Sequence, residues 1–181
     1  MKTTVALTIL VLSTGCTVAH VVDSWKADAA APFKRSSKRA VLVLAKDAER
    51  TERAEVKLAE SLKNASRLRA LFSPAELEDG VAVKAKLLEQ GFTELVVVRT
   101  EETVEKTRRR GSIWERWLVP NVPSTSSTLV DLVTSVYDIE SGALAWQLTS
   151  YSYDPASVES LLGEHVKAGL ERLKADGMLV E

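Results

Sequence analysis

The run LVDLVTSVYDIESGALAWQLTSYSY, residues 129–153, decides the fold. Leu129 to Ile139 is rich in β-branched residues and alternates apolar with polar positions. Glu140-Ser141-Gly142 is a turn, and Ala143 to Tyr153 returns as a second strand, so the run is a β-hairpin. Downstream, Asp154-Pro155 caps and starts a helix. Its apolar face is Val158, Leu161, Leu162, His165, Val166, Gly169, Leu170 and Leu173, and Gly177 ends it. Upstream, Phe92 to Thr103 contains Leu95-Val96-Val97-Val98, a buried strand, and a long connection runs from it to Thr128.

Further upstream the units keep alternating. Ala40-Val41-Leu42-Val43-Leu44-Ala45 is a short, nearly continuous apolar run, which marks a central strand buried on both faces. Ala48 to Ala65 carries Ala54, Leu58, Leu62 and Ala65 at three- and four-residue spacing and reads as an amphipathic helix. Arg67 to Phe72 reads as a weaker strand. Pro74 to Gln90 reads as a helix that the turn signal Asp79-Gly80 interrupts, with Gly91 as its C-terminal cap. The order β-α-β-α-β-β-β-α predicts an α/β (α+β) domain, a single mixed sheet of about four to five strands with helices packed on it.

The amino end is a different kind of segment. Lys2 gives a positive start and Val5 to Leu12 an apolar run too short to remain as a membrane-spanning helix. Ser13-Thr14-Gly15-Cys16 follows and resembles the bacterial lipobox, in which a small residue precedes the cysteine that receives the lipid. The leucine common three places before that cysteine sits one place earlier here, as Leu12, with Ser13 in its usual position. The resemblance implies cleavage before Cys16, acylation of Cys16, and firm anchoring by two or three acyl chains. Thr17, by resemblance to the enterobacterial sorting rule, implies delivery to the outer membrane, with the protein on its periplasmic face. The expected organisation is a signal peptide over 1–15, a lipidated tether over 16–39 and the mixed α/β domain over 40–181. Within the tether, Val18, Val21, Val22 and Trp25 do not read as free linker.

The chain has 181 residues, 45% hydrophobic and 27% charged. Removal of residues 1–15 leaves 181 − 15 = 166, enough for one domain with a hydrophobic core. A net charge of −1 gives no general reason to bind nucleic acid. One cysteine excludes an internal disulfide, and the two histidines, His20 and His165, are too scattered for a metal site of their own. No cofactor is expected. The chain shows no phosphate-binding glycine loop, no Gly-x-Ser-x-Gly turn and no His-Glu-x-x-His. Glu49, Glu52, Glu55, Glu60, Glu159 and Glu171 are placed on exposed helix faces, and Asp131 and Asp138 project to opposite faces of one strand. His165 reads as a hydrogen-bonded core histidine, and Trp146 as core or a cover of the sheet face. No enzyme activity is expected.

Two stretches resemble a loose group of bacterial lipoproteins: Asp23-Ser24-Trp25-Lys26 with Pro32-Phe33-Lys34 and the strand Ala40–Leu44, and Val136 to Trp146 with Tyr153-Asp154-Pro155-Ala156-Ser157-Val158. The second, a strand, Tyr-Asp, a glycine turn and a strand with Trp, is similar to periplasmic domains of the TolB amino-terminal type. Curli secretion lipoproteins and lipoproteins that activate peptidoglycan synthases share that type. The resemblance covers Trp25 to Gly177 and implies a domain that binds other envelope proteins, but it transfers no contact residue.

The least ordinary stretch is Lys106 to Pro120. It interleaves Lys106, Arg108, Arg109, Arg110 and Arg116 with Trp114 and Trp117, the residue types that dominate protein interfaces and that also suit an anionic membrane surface. Arg108, Arg109, Arg110, Trp114, Arg116 and Trp117 are the interaction candidates. The tryptophans either fold back as a core lid or meet a protein, a lipid or a glycan. Pro120 to Thr128 reads as flexible chain. The expected partners are the bilayer, through acylated Cys16, and another envelope protein. The function expected is a non-catalytic binding or assembly module; the alternatives are an envelope enzyme acting on glycan or lipid, and a small-ligand carrier, which would need a sizeable apolar pocket.

Overall fold

A computed structural model describes residues 19–45, 48–109 and 124–180. Its centre is a six-stranded sheet built from β1 (Ala19–Lys26), β3 (Lys38–Leu44), β4 (Ala65–Arg67), β5 (Phe92–Arg109), β6 (Ser124–Asp138) and β7 (Leu144–Tyr153), in the order β1-β7-β6-β5-β3-β4. β3 runs parallel to β4 and β5, and the remaining pairs are antiparallel, so the sheet is mixed. Two short strands, β2 (Phe33–Lys34) and β8 (Leu179–Val180), form a separate parallel pair.

Helices α1 (Ala48–Ser61) and α4 (Val158–Ala175) cover one face, where Ala54, Leu58, Leu161, Leu162 and Val166 meet Val41, Val96, Leu132 and Trp146. Helices α2 (Leu68–Leu71) and α3 (Gly80–Glu89) cover the opposite face at the β3–β5 end, where Leu68, Phe72 and Leu87 meet Ala40 and Phe92. Consecutive residues of β3 therefore enter different cores, which is why Ala40 to Val43 is apolar without alternation.

The mixed α/β sheet is as the sequence predicts, with six strands rather than four to five. The extra strand is β1. Residues 19–26, assigned to the tether, pair with β7 from Ala19↔Ser152 to Lys26↔Trp146, so the folded unit reaches well ahead of residue 40. Phe33, also assigned to the tether, is buried in the main core.

Three boundaries differ for local reasons. α1 ends at Ser61 because Asn64 takes a left-handed backbone, φ 53°, which asparagine tolerates better than most residues. The strand expected over 67–72 is β4 followed by one helical turn, whose four-residue spacing brings Leu68 and Phe72 into the same core. The last helix is capped by Ser157, which accepts from the Ser160 N–H at 3.0 Å, and not by Asp154-Pro155. Asp79 breaks the 74–90 segment as expected, and its carboxylate accepts from the Val81 and Ala82 N–H groups to start α3.

Candidate functional site

The stretch singled out as a loop begins as a ribbon, with Lys106 to Arg109 in strand β5. β5 and β6 stay paired far past their neighbours: β3 last pairs with β5 at Leu44↔Arg99, and β7 last pairs with β6 at Leu129↔Tyr153. The β5–β6 register nevertheless continues through five more pairs, Glu105↔Thr128 to Arg109↔Ser124. A two-stranded arm thus projects about 17 Å beyond the sheet. The long connection expected from Thr103 to Thr128 is corrected accordingly. Arg108 and Arg109 belong to strand β5, and Ser124 to Thr128, expected as flexible chain, belong to β6. Arg110, Trp114, Arg116 and Trp117 lie outside the described residues, as does Cys16.

The arm leaves the end of the sheet at which β1 begins. Ala19 pairs with Ser152, which sits beside Val130 at the base of the arm. Ala19 lies three residues after Cys16, a reach of at most about 11 Å. At this same end His20, Tyr151 and Tyr153 form a ring cluster, with centroids 5.1 Å apart for His20–Tyr151 and 5.3 Å for Tyr151–Tyr153.

A second feature lies at the other end of the sheet, between α1, α4 and the strands. It is a cavity of about 210 Å³. Leu58, Leu62, Val96, Val136, Val166 and Leu170 supply its apolar walls, and Thr134 and His165 are the polar groups deep in it. His165 is fully buried; its Nε2 is 2.5 Å from Thr134 Oγ1, and its Nδ1 meets Ser150 Oγ. Burial pulls the imidazole pKa down from 6.5 to about 4, so the ring is neutral at physiological pH. A neutral imidazole clamped between two hydroxyls pins α4 to the sheet, the core role read from the sequence.

At the mouth, Arg39 Nε lies 2.5 Å from Glu94 Oε2. The guanidinium also donates to the carbonyls of Ser37, Lys63 and Lys34, so four of its five N–H groups face acceptors. Burial pushes the Glu94 carboxyl above its ordinary range against the pull of Arg39, and Oε2 has this ionic contact but no hydrogen-bond donor. Among the described residues, the exposed ones in the cavity wall are Arg35, Lys63 and Lys174, all cationic. None of the three has an ion-pair partner among the described residues. Periodicity had no means of showing this cavity, because its cations come from a β2 turn, the end of α1 and the end of α4.

Two further charged groups act structurally. Glu55, expected on an exposed helix face, is buried. β4 pairs with β3 only as far as Val41, and beyond it Glu55 accepts from the Val43 N–H at 3.0 Å while Arg69 donates to the Val43 carbonyl at 3.0 Å. Glu55 and Arg69 pair with each other, so two side chains stand where the next residues of an edge strand would. Asp176 caps α4 and gathers Ser24, Trp146 and Arg172. Burial opposes ionisation of Asp176, but the hydrogen bonds from Trp146 and Ser24 and the charges of Arg172 and Lys26 hold its carboxyl below the ordinary value. No group of three His, Cys, Asp or Glu residues is placed to hold a metal among the described residues.

Fold and features together define a class: a mixed-sheet α/β domain with a projecting ribbon at one end and an apolar, cation-rimmed cavity at the other. No family model and no curated protein matches the sequence. Solved structures with a similar chain path include the PelC dodecamer from Paraburkholderia phytofirmans, at 15% identity and TM-score 0.46, covering 81% of this chain and 90% of that one. Another is lipoprotein GNA1162 from Neisseria meningitidis, at 18% identity and TM-score 0.41, covering 77% of this chain and 99% of that one.

Proposed function

We propose that this protein is a lipid-anchored, non-catalytic binding or assembly module of the bacterial cell envelope, held at the outer membrane, with its β5–β6 arm as the interaction element. One observation carries the reading. The lipobox cysteine lies three residues before a strand that starts at the same end of the sheet from which the arm projects. Such a short leash keeps that end close to the membrane and confines the arm to a thin layer above it. Confinement raises the arm's effective concentration for any partner in the same layer. No helix among the described residues is long and apolar enough to cross a membrane, which makes the lipid the means of attachment in this reading. Arg108 and Arg109 on the arm, continuing into Arg110, Trp114, Arg116 and Trp117, supply planar donors and large apolar surface.

The test is in-cell photocrosslinking from positions 114 and 117, in the wild type and in a variant with charge reversal at Arg108, Arg109 and Arg110. One recurrent envelope protein, captured by the wild type and lost from an equally stable reversal variant, is the expected result. Capture of lipid alone, or of the chain itself alone, would remove the partner-protein reading. The anchor has its own check. Cys16→Ser should leave unacylated precursor, whereas a normally cleaved wild type without lipid would refute the anchoring.

A further inference from the structure

We propose that the cavity beneath α1 and α4 binds one anionic amphiphile, with an apolar chain end inside and a carboxylate or phosphate at the Arg35–Lys63–Lys174 rim. Its size sets the first constraint. An apolar cavity of about 150 Å³ accommodates benzene. By proportion, about 210 Å³ takes roughly eight carbon atoms, a short acyl segment and not a whole lipid.

Charge sets the second. The wall holds four cations and one carboxylate, and that carboxylate, Glu94, is already matched to Arg39. Arg39 is in turn locked by three carbonyls, so it belongs to the scaffold. Arg35, Lys63 and Lys174 are left as three positive charges unpaired among the described residues around an apolar opening, complementary to an anionic head on an apolar tail.

Position sets the third. Lys26 Nζ donates to the Asp176 carbonyl at 2.8 Å, which places the far end of β1 beside Lys174. Ala19 is at the other end of β1, about 23 Å away. The mouth therefore opens away from the end nearest Cys16, toward ligands from outside the chain's own anchor. The inference does not depend on the arm or its partner.

The test titrates the acylated protein in phosphatidylcholine nanodiscs, with empty nanodiscs as the blank, by calorimetry. The probes are octanoate, an eight-carbon monoacyl glycerophosphate and octyltrimethylammonium. Both anions should bind once per chain and at least tenfold more tightly than the cation, and the tighter of the two identifies the head as carboxylate or phosphate. Replacing the three exposed rim residues together, Arg35→Glu, Lys63→Glu and Lys174→Glu, should weaken the anions at least tenfold with the fold intact. Leu170→Trp enlarges a half-buried side chain of the cavity wall and should weaken binding. Absence of anion binding by the wild type, a cation that binds as tightly, or unchanged anion affinity in the triple variant would each overturn the proposal.

Discussion

At the residue scale, polar side chains in this protein secure the places where backbone pairing or packing leaves a gap. Glu55 and Arg69 continue the β3 ladder past the end of β4, and Asp176 ties the edge strand to the end of α4. His165 does the same work inside the core, and its buried state makes stability depend on pH. Its folded pKa of about 4 lies below the 6.5 of an unfolded histidine, so the unfolded chain binds the proton more readily. The contribution is complete above pH 6.5 and is lost as the pH falls toward 4. At about 1.4 kcal/mol per tenfold change in proton affinity, the loss is about 3 kcal/mol. His165→Gln keeps a neutral hydrogen-bonding group without the titration. Urea unfolding at pH 7 and pH 4.5, which spans most of this titration, should show a pH-dependent loss smaller in the variant by about 2 kcal/mol. Equal losses in both proteins would mean that His165 does not titrate on unfolding.

At the scale of elements, α4 contains two glycines in its interior, Gly163 and Gly169, against ordinary helix preference. A Cβ built at Gly163 meets nothing within 4 Å. Gly163→Ala should therefore raise stability by about 0.5–1 kcal/mol, read as a higher urea midpoint at unchanged slope. A lower midpoint would show that the bare backbone at 163 is needed. Elements with a buried face were legible in the sequence: β3, α1, the central parts of β5 and β6, β7 and α4 all announce themselves by period. The arm was not, because residues 103–109 and 124–128 hold a single apolar residue, Val104, so no apolar alternation marks them, and Thr103, Thr107, Thr125 and Thr128 pass for loop chemistry. β1 was obscured for a related reason. His20, Val22, Asp23 and Trp25 lie exposed on an edge strand, so polarity there reported exposure and not absence of structure. The basic and aromatic cluster was legible as composition, whereas the cavity depends on tertiary placement.

At the scale of the whole molecule, the sheet divides the protein into two ends with different chemistry. The aromatic cluster, the start of β1 and the arm occupy one, while the cavity, the β2–β8 pair and the end of α4 occupy the other. β1 joins them, since it starts at the first end and is fixed to α4 by Ser24 and Lys26 at the second. Deleting residues 17–26 should thus do more than shorten a linker. It exposes β7 as a new edge and leaves Asp176 without Ser24, so the thermal midpoint should fall by several degrees. An unchanged midpoint would return this segment to the role of tether.

The pairing of β1 with β7 also governs the order in which the chain can fold. Ala19 must wait for Ser152, whereas β5, β6 and β7 follow one another along the chain and can zip locally. Closing so long a loop costs entropy before any contact repays it, and contacts of this kind slow folding. A chain synthesised amino end first therefore presents β1 early and unpaired, and the β1–β7 pair cannot begin to close at Ala19 until Ser152 has emerged.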